Sequence, residues 1–144
     1  MSERIIEQSV GEWLQEHPTE MVLVAPDMPL LEIVRALLNK DARDAYVVEN
    51  ERVLGHLGFN NLVNHLFTQE RPVHSHRQLF ARVALPNAAE LMDPHFAYCR
   101  EDERINRILH RQLQCDVSDL VVLASDNTPI GVIKLTEVVR ESLQ

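Results

Sequence analysis

The chain has 144 residues, 45% of them apolar and 25% charged, which is globular material rather than a disordered tail. Its formal charge of −8 and pI near 5.3 oppose binding to nucleic acid or anionic membranes. No stretch reaches the roughly 20 apolar residues that a membrane span needs, and two cysteines without CxxC spacing form neither a disulfide framework nor a zinc knuckle.

In chain order, the N-terminus carries glutamates where a signal peptide needs a basic start, so a cytoplasmic location is expected. A short amphipathic lead, Val10 to Leu14, follows, with Trp13 expected to anchor it against the first half of the chain. "MVLV" reads as an extended piece. Leu30, Ile33, Val34, Leu37 and Leu38 then mark one face of a helix, with Asp27 near its N-cap and Pro29 in its first turn. Two short strands, "AYVV" and "VLGHL", are joined by polar "ENER". A second helix is predicted from Asn60, as its cap, to about Phe67.

The segment Thr68 to Asn87 reads as a connector, polar at first and weakly helical from Gln78 to Leu85. After it the plan repeats. A lead (Ala88 to Met92) and an extended "FAYC" precede a helix marked by Ile105, Ile108, Leu109 and Leu113, where Gln112 stands in place of Leu37. The strands "LVVL" and "IGVI" are joined by "ASDNTP", and a last helix is predicted from Thr136 to about Leu143.

Sliding the sequence by 75 positions sets Asp27 on Asp102, Ile33 on Ile108, Asp44 on Asp119 and Val47 on Val122. One extra residue in the second turn then brings Gly55 onto Gly131 and Asn60 onto Thr136. The even spacing of these matches makes the duplication real. Units of about 45 residues bury their apolar faces poorly alone, so two are expected to pack face to face about a pseudo-twofold axis, with clefts between them. The domain reading is therefore 1–67 for the lead and first unit, 68–87 for the connector and 88–144 for the second unit.

The tandem arrangement of lead, extended piece, amphipathic helix, "VV", turn and glycine-led strand running into a helix resembles a pair of CBS domains, a Bateman module. The resemblance covers roughly Val10 to Leu143. It implies an α/β (α+β) fold of two β-α-β-β-α units and a regulatory module rather than an enzyme. It also implies a homodimer that signals through a separate protein effector. No catalytic cofactor is called for, but AMP, ADP, ATP or S-adenosylmethionine is implied as a regulatory ligand.

In nucleotide-binding members the strand-to-helix segment tends to read G-h-h-[ST]-x-x-D, where a hydroxyl and the helix N-terminus hold phosphate and the aspartate accepts from ribose. Carried onto this chain, the candidate ligand-binding residues are Gly58, Asn60 and Asn61 in the first copy and Lys134, Thr136 and Glu137 in the second. Both copies depart from the pattern. Gly58 lacks the hydroxyl and Asn61 is neutral, whereas Lys134 offers a point charge to phosphate and Glu137 an acceptor to ribose. The competing reading is an interaction or assembly module that has lost its ligand, with Glu137 serving the helix dipole and Lys134 a solvated strand end. His74 and His76 suggest a metal by their spacing, but no acid or cysteine completes a site, and a solvated loop is favoured. His56 and His110 read as packing or surface groups.

Overall fold

The computed structural model describes residues 7–68, 86–112 and 119–144. The described residues divide into two compact units, one drawn from Val22–Phe96 and the other from Met1–Met21 together with Ala97–Gln144. Each holds one three-stranded sheet. His74, His76, Cys115, Leu113 and the predicted helix from Gln78 to Leu85 lie outside the described residues.

The Val22–Phe96 unit begins with strand β1 (Val22–Val24), helix α2 (Leu30–Asn39), strands β2 (Asp44–Glu49) and β3 (Arg52–Gly58), and helix α3 (Phe59–Thr68). The strands run in the order β1-β2-β3, with β1 parallel and β3 antiparallel to β2. Leu30, Ile33, Val34 and Leu37 bury one face of α2 in a core with Val22, Val24, Ala45, Val47, Leu57 and Leu62. Leu38 does not join them and is 61% exposed. Its position eight residues after Leu30 is about 80° round the helix, past the edge of the buried stripe. The "ENER" turn is a two-residue hairpin loop in which Asn50 and Glu51 both take positive φ, the geometry that matches the right-handed strand twist.

The other unit repeats the plan with β4 (Tyr98–Arg100), α5 (Ile105–Gln112), β5 (Asp119–Leu123), β6 (Pro129–Lys134) and α6 (Leu135–Ser142), its sheet again ordered β4-β5-β6. Ile105, Ile108, Leu120, Val122, Ile133 and Val138 supply its core, together with Cys99. Burial, and to a lesser degree the nearby Glu103 charge, pushes the Cys99 thiol up to about 12 against a smaller opposing pull from Arg111. It therefore packs as a small apolar group.

The two leads form short helices, α1 (Val10–Glu16) and α4 (Ala88–Leu91), each opened by a reciprocal capping box. Ser9 accepts from the Glu12 N–H while the Glu12 carboxylate accepts from the Ser9 N–H, and Asn87 and Glu90 do the same. Trp13, expected against the first repeat, is instead buried in the core of the second, among Val10, Cys99, Ile105 and Ile108. The lead between the repeats, in turn, packs on the first, where Ala88 is buried. Each lead therefore docks on the repeat of the other copy.

The docking hydrogen bonds are the same in both units. Val10 and Gly11 donate to the Glu103 and Glu101 carbonyls and receive the Ile105 N–H at Gln8 O. Ala88 and Ala89 donate to Met28 and Pro26 and receive the Leu30 N–H at Pro86 O. The two receiving bonds satisfy the first N–H of α5 and of α2, which no residue inside those helices can reach. Asp27 stands near the N-cap of α2, two residues before it, whereas Pro29, expected in the first turn, is itself the N-cap and makes no side-chain cap.

Each hairpin contains one residue in excess just before its glycine, shifting the register between Val47 and Val48 in one unit and between Val122 and Leu123 in the other. The glycines follow because the lead passes directly over them. A Cβ on Gly55 would lie 2.9 Å from Met92 Cβ and 2.7 Å from its sulfur, and one on Gly131 would lie 3.0 Å from both Leu14 methyls. Met92 cannot withdraw its own Cβ without moving α4. Gly55→Ala should therefore cost about 1–3 kcal/mol in urea unfolding, whereas Gly131→Ala, facing a mobile side-chain tip, should cost less.

Candidate functional site

The six residues singled out in the sequence fall into two groups of three, one at the β3–α3 junction and one at the β6–α6 junction. Each group is contiguous in space because the strand runs straight into the helix with no loop between. Both helices start one residue earlier than predicted, at Phe59 and Leu135, so Asn60 and Thr136 stand inside the first turn and are not the caps. The backbone explains the difference. Lys134 remains extended (φ −99°, ψ 110°) as N-cap of α6 and makes no side-chain cap, while Leu135 already packs on the core. At the other junction the Phe59 N–H is taken by the Arg43 carbonyl at 2.8 Å.

At the β6–α6 junction Lys134 and Thr136 are exposed and Glu137 is half-buried in the first helical turn. A carboxylate there is favoured by the N-terminal end of the helix dipole. The strand register sets Asp119 directly opposite Lys134, so the lysine charge stands beside an acid on its own sheet. The junction thus offers a cation, a hydroxyl and a carboxylate within the four residues Lys134 to Glu137.

The β3–α3 junction is built differently. Asp44 is the cross-strand partner of Gly58, and Tyr46 that of His56. His56 Nε2 lies 2.7 Å from Asp44 Oδ1, and the two side chains are 31% and 32% exposed. The Tyr46 ring flanks the imidazole at a centroid distance of 5.3 Å. The His56 backbone is fixed by a pair of hydrogen bonds with Asp93, one in each direction. Gly58 has no positive φ, and a Cβ placed on it would meet only His56 Cε1, at 3.7 Å. The glycine is therefore not demanded by backbone strain or by crowding. It leaves space beside the imidazole. Asn60 and Asn61 are both exposed.

The His56–Asp44 pair was missed by reading residues one at a time. Its signal was the hairpin, but a register counted from the "ENER" turn without the extra residue would set Leu57, not Gly58, opposite Asp44 and turn His56 away. His110 is exposed, as expected, with Nδ1 3.0 Å from the Asn106 carbonyl. Among the described residues no three His, Cys, Asp or Glu side chains gather to hold a metal ion, and no helix is long and apolar enough to cross a membrane.

A model of the CBS domain matches this chain twice, over residues 14–67 and 88–144. The chain belongs to the CBS domain family. It is a tandem CBS pair, and its mixed α/β architecture of two three-stranded sheets matches solved CBS pairs. CBSX2 in complex with AMP superposes with a TM-score of 0.71 at 19% identity, covering 95% of this chain and 97% of that one. The CBS domain of a CBS-domain-containing membrane protein from Sphaerobacter thermophilus gives a TM-score of 0.73 at 14% identity, over 96% and 90% of the two chains. The cytosolic domain of the Mg2+ channel MgtE in complex with ATP gives 0.65 at 21% identity, over 84% of this chain and 44% of that one. A comparison with curated proteins found no match. At these identities the solved structures establish the shared fold of the CBS pair.

Proposed function

We propose that this CBS pair is a non-catalytic regulatory module, which holds an adenine nucleotide or a related adenosyl compound at its strand-to-helix junctions. We further propose that it works as a homodimer and passes occupancy to a partner protein. The observation that carries the reading is the β6–α6 junction, where Lys134, Thr136 and Glu137 set a cation, a hydroxyl and a carboxylate at one helix start. A phosphate is favoured by the lysine charge, and ribose hydroxyls by the carboxylate. Support comes from the AMP and ATP held by CBSX2 and by the MgtE domain on the same fold.

Thermal-shift titration with AMP, ADP, ATP and S-adenosylmethionine tests it. A ligand at 100 times its Kd adds about 2.7 kcal/mol to the native state, a rise of several degrees for a domain of this size. Unmoved melting with all four at millimolar concentration would overturn the nucleotide reading.

A second reading, an assembly module without a ligand, draws on two features: the absent hydroxyl at Gly58, and Asp119 standing opposite Lys134. The double change Lys134→Thr with Glu137→Asp separates the two. On the nucleotide reading wild type binds AMP and loss of the lysine charge weakens it. On the assembly reading wild type binds no AMP and dimerisation is unaltered. A gain of AMP affinity in the double variant would then mean that the site survives but its ligating residues were lost.

A further inference from the structure

We propose that His56, oriented by Asp44, is a ligand-contacting residue at the first junction, and that it accepts a hydrogen bond from an uncharged donor of the ligand's nucleoside part. The proposal rests on the nucleotide-binding reading above and deepens it, since the family pattern has an unspecified apolar residue here and assigns it no contact.

The geometry begins with Asp44. A carboxylate only accepts hydrogen bonds, so at 2.7 Å from Oδ1 the Nε2 of a neutral ring must carry the proton. That tautomer leaves Nδ1 with a lone pair. Among the described residues Nδ1 has no hydrogen-bond partner, although Tyr46 holds the ring from one side and the Asp93 pair holds its backbone. The ring atom between the two nitrogens, Cε1, is the one heavy atom that a side chain on Gly58 would meet, at 3.7 Å. The missing side chain therefore leaves open the space beside the imidazole, at the position where the family pattern has its hydroxyl.

The chemistry of the pair then selects the ligand group. In that tautomer the imidazole presents an acceptor at Nδ1, and the Asp44 carboxylate beside it disfavours an anion, so a donor is favoured. In an adenosyl compound the donors are the ribose hydroxyls and the exocyclic amine. The second junction, with Lys134 beside Glu137, has the charge that a phosphate needs. The two junctions of this chain thus differ in chemistry although they descend from one repeat: the first offers a neutral acceptor, the second a cation and a carboxylate.

The test uses the full chain at about pH 8, above the ordinary histidine range, with AMP as the probe. Nitrogen-15 spectra of the unliganded protein should show His56 with its proton on Nε2. In Asp44→Asn the amide can donate to Nε2, so the proton should shift to Nδ1 and AMP binding should weaken about fivefold. His56→Phe keeps an aromatic ring without the acceptor and should weaken AMP to a similar extent, with melting temperatures confirming that both variants fold. IMP lacks the amine and 2′,3′-dideoxy-AMP lacks the hydroxyls. Whichever of them binds wild type and His56→Phe equally identifies the donor.

Wild-type AMP binding that both variants retain in full would overturn the role of His56 while leaving the nucleotide reading intact. A wild-type proton on Nδ1, or an undiminished effect of His56→Phe with both IMP and the dideoxy ligand, would also overturn it. If wild type binds no AMP, the nucleotide reading fails and this proposal with it.

Discussion

Trp13→Ala should destabilise the unit that contains the second repeat by about 3–5 kcal/mol and leave the Val22–Phe96 unit nearly untouched. Trp13 is 1% exposed and sits among Cys99, Ile105, Ile108 and Ile133. Its other face stacks on His17, with ring centroids 3.7 Å apart and 13° between planes. Truncation opens a cavity larger than any neighbour can fill. It also loosens α1, whose backbone bonds to Glu101 and Glu103 then hold the lead with little apolar support. A loss of this size is comparable with the whole stability of a small domain. Urea unfolding followed by circular dichroism should therefore separate into two transitions, and hydrogen exchange should place the early one in β4, β5 and β6. Early exchange in β1, β2 and β3 instead would show that the lead belongs to the first repeat.

Gln112→Leu should act in the opposite direction, stabilising the same unit by about 1–2 kcal/mol. Gln112 is 9% exposed, and its Oε1 is buried without a hydrogen-bond partner among the described residues. At the matching place in the first repeat stands Leu37, fully buried in the core. Leucine and glutamine occupy similar volumes, so the change removes the cost of an unpaired acceptor without overpacking. A rise in the urea midpoint at unchanged slope checks it. A fall would mean that the amide oxygen is satisfied in solution and contributes to holding the end of α5.

Much of the fold was legible because its signals are periodic and local. The apolar spacing of Leu30, Ile33, Val34 and Leu37 gave α2 almost to the residue, and Glu49 and Arg52 close the hairpin that "ENER" announced. The capping boxes were also written in the chain, as Ser9 before Glu12 and Asn87 before Glu90. The junction helices were found but started one residue late, because Asn60 and Thr136 are good capping residues and nothing local shows that Gly58 and Lys134 end the strands. At the candidate site, Gly58, Lys134 and Glu137 were singled out by the strand-to-helix pattern that the CBS resemblance implies, whereas the His56–Asp44 contact was not.

The sequence by itself determined the duplication, the order of elements in each copy and the glycine that leads each junction, since all depend on spacing along the chain. Only the tertiary structure decided which lead packs on which repeat. Both leads offer the same capped helix and the same backbone donors, and both repeats offer the same carbonyls, so either pairing satisfies local chemistry equally well. The tertiary structure likewise decided the one-residue bulges that set His56 beside Asp44. A shift of register turns every side chain to the other face of a strand, and the cost of that turn is felt only when a core and a passing lead are there to meet it.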